Sequence, residues 1–246
     1  MTGTGADASG GVDRAWARIE ASLGLVLPAS LRQLEPPAEV EAIDAVESAL
    51  AVALPPDFRA SLRVHGGTKW PALHRGQPSP VPLECLYDTD GIVAATRMWR
   101  DNYAADPVWD DPRVWAHLVD REMICLYGPV RPIVGSAGAV LVGDMNGDVH
   151  WFLDLDPAPG GRPGQVVRVD VECSSWVVLA ASWTDLLVRY AEDLELHAAS
   201  PDSSPLEIDQ DHGPACEWGS TPTDSWTTRP AWLRDVQALN PYPWEA

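Results

Sequence analysis

His150, Asp154 and Asp156 fall in one short stretch, HWFLDLD, at alternate positions. In a strand all three side chains leave the same face. A histidine beside two carboxylates could hold a divalent metal or relay a proton. Asp144 and Asp148 raise a second possibility, because Asp144-x-Asn146-Gly147-Asp148 begins like a calcium loop. That loop needs a glycine where Val149 stands and a bidentate glutamate where Leu155 stands, and both are missing. The segment therefore reads as a tight hairpin turn, in which Asn146-Gly147 tolerates positive φ at both central positions. Asp154 and Asp156 are expected on a solvated edge, or capping the turn from Pro157 to Gly164.

The other candidate motifs fall short on spacing. Gly135-Ser136-Ala137-Gly138 is one residue too short for a nucleophile elbow. In Gly160-Gly161-Arg162-Pro163-Gly164 the proline removes a donor and no Gly-Lys-Thr follows, so it is not a phosphate cradle. His65 follows a helix end, where an imidazole sits against free carbonyls, and a structural role is expected. Cys85, Cys125, Cys173 and Cys216 stand 40, 48 and 43 residues apart. They form no C-x-x-C pair and have no histidine at ligand spacing, which disfavours a structural zinc. Cys125 lies in the apolar run Met-Ile-Cys-Leu-Tyr and reads as a small buried hydrophobe. A metal-dependent hydrolase built on His150, Asp154 and Asp156 is the weakest of three readings, since one strand does not make a pocket. No enzyme activity, metal or cofactor is expected.

Charge narrows the partners. The 246 residues carry a formal charge of −19, and Lys69 is the single lysine among 17 basic residues. Such a balance disfavours nucleic acid and anionic lipid, both of which demand a basic face. It suits a basic protein partner, because complementary fields speed encounter. Tryptophan is an interface anchor as well as a core residue. Asp144, Asp148, Asp154 and Asp156, with Trp99 and Trp109, are accordingly the expected partner contacts. The N-terminus lacks the basic and apolar regions of a signal peptide, and no run reaches the roughly 20 apolar residues of a membrane span. A cytoplasmic protein is expected.

The elements that must position these residues are partly visible in the periodicity. Residues 1–11, rich in Gly, Thr, Ala and Ser, read as a flexible leader. Asp13 caps a first helix with Trp16, Ile19 and Leu23 on one face. Val40, Ile43, Val46 and Leu50 mark a second helix, with Glu39, Glu41 and Glu47 off the stripe. Leu54-Pro55-Pro56-Asp57-Phe58 starts a third, and Gly66-Gly67 ends it. Leu83–Tyr87 reads as a strand, Asp90–Tyr103 as a helix, and residues 104–120 as irregular or weakly helical. Two or three strands are expected between Arg121 and Val142. His150–Asp154 follows the hairpin turn, and Gln165–Val171 returns with Val167, Val169 and Val171 alternating against Arg168 and Asp170. Trp176–Ala180 is a last strand, and an amphipathic helix follows with Trp183, Leu186, Leu187, Tyr190 and Leu194. Residues 199–246 change character, with eight acidic and two basic residues and four tryptophans, Trp218, Trp226, Trp232 and Trp244. Such a tail is expected to lie partly against the domain, with one short helix over Ala231–Leu239.

Several short motifs, in this order, are similar to one known family. They are Trp16-x-Arg18-Ile19-Glu20, Leu34-x-Pro36-Pro37-Ala38, Ala45-Val46-Glu47 and Leu54-Pro55-x-Asp57-Phe58-Arg59. Val64-His65-Gly66-Gly67 comes next, then Asp154-Leu155-Asp156-Pro157 through Gly160-Gly161-x-x-Gly164-Gln165-Val166. Together they resemble the Smi/Knr-like cell-wall-assembly-regulator family of the SUKH superfamily, across residues 12–198. The family often has His-Asp-Gly where this chain has His65-Gly66-Gly67, and residues 199–246 lie outside the likeness. The resemblance implies an α+β fold, SUKH-like, with helices packed on a mostly antiparallel sheet and an extra C-terminal tail. It implies protein binding with no common catalytic set. Bacterial members look like immunity proteins that neutralise toxins, many of them nucleases; fungal members look like regulators of wall synthesis. With the acidic charge, an immunity-type protein facing a basic toxin domain is the first expectation. A regulatory scaffold is the alternative.

Overall fold

The computed structural model describes residues 4–69, 76–102, 111–132, 135–216, 218 and 229–239. Asn146 and Gly147 take φ of 60° and 78° at the centre of the expected tight turn between β3 (Ala139–Met145) and β4 (Val149–Asp154). β5 (Gln165–Asp170) and β6 (Ser175–Ala180) continue the meander, each antiparallel to its neighbour. The short β1 (Cys85–Leu86) adds antiparallel to β3 on one edge. β2 (Cys125–Tyr127) adds parallel to β6 on the other, giving the order β1-β3-β4-β5-β6-β2.

Helices cover both faces, which is why the strands carry apolar residues on both sides. On the first face Val140, Val142, Trp151, Leu153 and Val166 pack against α1 (Thr4–Val26), α2 (Val40–Leu50), α3 (Pro56–Leu62) and α6 (Trp183–Ala199). On the second, Leu141, Phe152, Val167 and Val169 meet α5 (Pro112–Asp120) and Trp99 of α4 (Thr89–Asn102). The fold is thus α+β, with helices on a mixed sheet whose pairings are antiparallel except that of β2 with β6.

Polar contacts lock the first layer. The Trp16 indole N–H donates to Ser61 Oγ at 2.8 Å, and Arg18 of α1 makes two bonds to Glu195 of α6 at 2.7 and 2.8 Å. His65 has the structural role expected of it: Nε2 lies 2.9 Å from Glu20 Oε1, and the ring stands edge-on to Trp16. Gly67, at φ 135°, passes so close to the backbone just after β1 that an added Cβ would lie 2.8 Å from Asp88 N. Only glycine fits there.

Three expectations need correction. Residues 4–11, read as part of a flexible leader, are the opening turns of α1, and Val12 is fully buried. Part of the span read as irregular or weakly helical is a firm helix: Pro112 sits in the first turn of α5, the Asp111 carboxylate accepts from Arg113 N at 2.9 Å, and Val114, Trp115 and Leu118 are buried. The C-terminal extension contains a hairpin, β7 (Leu206–Asp209) with β8 (Gly213–Cys216), and the expected helix over Ala231–Leu239 shrinks to one 3₁₀ turn at Ala231–Leu233. Trp218 enters the first core and Leu233 the second. Among the described residues no helix is long and apolar enough to cross a membrane.

Candidate functional site

Asp154 is the last residue of β4, on the side that carries His150 and Phe152. The turn from Pro157 to Gly164 folds back over the strand end, with Gly164 N donating to Asp154 O at 2.7 Å. This brings Gln165, first residue of β5, beside the carboxylate. Gln165 Nε2 donates to Asp154 Oδ2 at 2.9 Å and to Pro129 O at 3.0 Å, while Asp156 N donates to Asp154 Oδ1 at 3.1 Å. The carboxyl therefore has one donor on each oxygen and a fixed direction.

It faces a cleft of about 40 Å³ on the second sheet face. The apolar walls are Val130, Ala139, Phe152, Val167, Val169 and Trp176, drawn from four strands and the segment after β2. Arg131, Ser136, Gly138 and Asp156 complete the lining. The Arg131 guanidinium pairs with Asp156 at 3.1 Å, and among the described residues no cation forms an ion pair with Asp154 itself. Burial beside these apolar walls pushes the Asp154 carboxyl up to about 6, against the opposing pull of its two donors.

The other expected residues do not join this site. His150 of β4 and Asp144, its partner across on β3, sit at the far end of that strand pair, roughly 13–17 Å away at the rise of an extended strand. His150 Nδ1 lies 2.9 Å from Asp144 Oδ2, an ion-pair contact without the alignment of a good hydrogen bond, and Nε2 lies 2.9 Å from Gly147 O. Both side chains are buried, as is Trp99, which stands edge-on to His150 with centroids 4.9 Å apart. These three belong to the interior, so Asp144 and Trp99 are corrected as surface contacts. Asp148 remains at the hairpin tip, 3.4 Å from Asn146 Nδ2. Trp109 lies outside the described residues.

The His150–Asp154–Asp156 grouping also dissolves. β4 ends at Asp154, so Asp156 leaves the strand alternation, and His150 turns to Asp144. Among the described residues no three His, Cys, Asp or Glu side chains converge to hold a metal. Cys85 is paired across the sheet with Asp144, but burial and that carboxylate push its thiol up to about 12. A protonated, buried thiol is not a nucleophile at neutral pH. Cys125 is buried, as its apolar run suggested.

Sequence reading missed Gln165, Arg131, Ala139 and Trp176. The one signal for Gln165 was its position, directly after a glycine turn and opposite Asp154. The others come from segments distant in sequence, which only the sheet order brings together.

A family model described as the SMI1 / KNR4 family (SUKH-1) matches residues 37–189. Among curated proteins, the cell wall biosynthesis/cell cycle regulator smi1 of Schizosaccharomyces pombe is 29% identical over 163 residues, 64% of this chain and 31% of that protein. A KNR4/SMI1 homolog of Kluyveromyces lactis is 33% identical over 67 residues, 27% of this chain and 12% of the other. A glucan synthesis regulatory protein of Neurospora crassa is 24% identical over 208 residues, covering 74% and 38%. This chain spans well under half the length of these curated relatives. The Asp154 cleft lies inside the matched residues, and the β7–β8 hairpin lies beyond them.

Proposed function

The chain belongs to the SMI1/KNR4 (SUKH-1) family, and from that premise we propose that it is a non-enzymatic protein-binding module of the cell-wall-regulator type. One observation carries the reading: the Asp154 carboxylate is held at the end of an apolar cleft and lacks an ion-pairing cation among the described residues. A fixed charge among apolar and aromatic walls is how a recognition site anchors a partner side chain. Two of the relatives named above, those of Schizosaccharomyces pombe and Neurospora crassa, are regulators of wall biosynthesis and of glucan synthesis, which supports the regulator over the immunity protein. The net charge of −19 keeps the immunity reading as the second, since it favours a basic toxin domain.

Affinity capture of the tagged full chain from its own host, at low and at high salt, separates the two. A salt-resistant partner from envelope or signalling machinery supports the regulator. A single basic partner lost at high salt supports immunity. Empty captures at both salts count against a binding module.

A further inference from the structure

We propose that the Asp154 cleft receives the end of a lysine side chain from a partner protein, its ammonium on the Asp154 carboxylate and its last methylenes against Phe152 and Trp176. The inference deepens the protein-binding reading and rests on it.

Three features select the occupant. The first is charge. Each oxygen of Asp154 accepts one hydrogen bond, from Gln165 Nε2 or from Asp156 N, and a carboxylate has acceptor sites to spare. The other charged groups lining the cleft, Arg131 and Asp156, are paired with each other. The burial that raises the carboxyl toward neutrality is the condition a cation relieves. The second is chemistry along the cleft. A charged head on an aliphatic stem matches a carboxylate at the end of apolar walls, and aromatic rings favour a nearby ammonium. The third is size. The cleft is small, about 40 Å³, and an ammonium is more compact than the broad planar guanidinium of arginine.

A second copy of this chain is a poor source. Its single lysine, Lys69, donates through Nζ to Arg32 O at 2.6 Å. The acidic chain instead suits a basic segment of a different protein.

The test is an NMR titration of the full chain with N-acetyl-lysine methylamide, against the norleucine and arginine analogues. The lysine probe is expected to shift the Gln165 side-chain amide, the Gly138 amide and the Trp176 indole saturably. Asp154→Asn is expected to weaken it about tenfold, as loss of a charge-assisted contact would. Ala139→Met, which keeps the carboxylate but fills the cleft, is expected to weaken it as well. No saturable shift, an equal response to norleucine or arginine, or undiminished binding in both variants overturns the proposal. If the lysine probe is silent while a partner is captured, this inference alone fails. If the probe binds and captures stay empty, the lysine site stands and the module reading fails.

Discussion

Trp218 of the C-terminal extension stacks on Trp151 of β4, with ring centroids 6.4 Å apart and planes within 17°. Its indole N–H donates to Asp193 Oδ2 at 2.9 Å, and the Arg189 guanidinium lies 4.6 Å from its ring centroid. Residues beyond the family match thus close the first core instead of trailing from it. Trp218→Ala is predicted to cost about 3–5 kcal/mol, the usual range for removing a buried aromatic. Urea unfolding followed by far-UV dichroism measures it. A loss below about 1 kcal/mol would mean that the extension merely rests on the domain.

The buried contact between Asp144 and His150 yields a second prediction. Asp144 Oδ1 also accepts from Gly147 N at 3.2 Å, so the carboxylate ties the imidazole to the hairpin turn. Asp144→Ala strands a buried polar ring and is expected to destabilise by about 3 kcal/mol. Combining it with His150→Phe should cost less than the sum of the two single changes, because the ring left unpaired by the first is removed by the second. Equilibrium unfolding of the four proteins gives the coupling, and simple additivity would contradict the pairing.

The raised Asp154 carboxyl makes stability depend on pH in a stated direction. Its ordinary value is 3.8 and its folded value about 6, so between these the folded chain holds more protons than the unfolded chain. Stability from this group is fully present below pH 3.8, falls as pH rises, and is lost above about 6, a change of about 3 kcal/mol. Asp154→Asn removes the titration. The variant is predicted to gain on the parent between pH 4 and pH 7, in paired denaturant unfolding curves. A difference that does not move with pH would show that the carboxyl is not desolvated.

The sequence carried the local signals well. The stripe Val40, Ile43, Val46 and Leu50 became α2 with Ile43, Val46 and Leu50 buried, and Asn146-Gly147 became the β3–β4 turn. Where pairing is remote it was silent. Nothing in Cys125–Tyr127 announces a parallel partner some fifty residues later, and the aspartates and prolines around Asp111 and Pro112 obscured a helix whose cap they supply. For the site, Asp154 was legible as a carboxylate on a strand. Its direction depends on Gln165, and its walls on Val130, Ala139 and Trp176, all set by tertiary packing. Trp99 and Asp144 are interior although their types suit a surface contact, because amino-acid type does not report which helix covers the second sheet face.

The partner protein is expected to dock at the Asp154 end of the sheet. Ala137 is exposed and adjoins Ser136 and Gly138 of the cleft lining, whereas Leu25 projects from α1, which packs on the opposite face. A photo-crosslinking amino acid placed at each position in turn, in the host cell, reads that docking directly. A discrete adduct is expected from position 137, traced by mass spectrometry to a lysine-containing segment, with no such adduct from position 25. An adduct from position 25 with none from position 137 would contradict it.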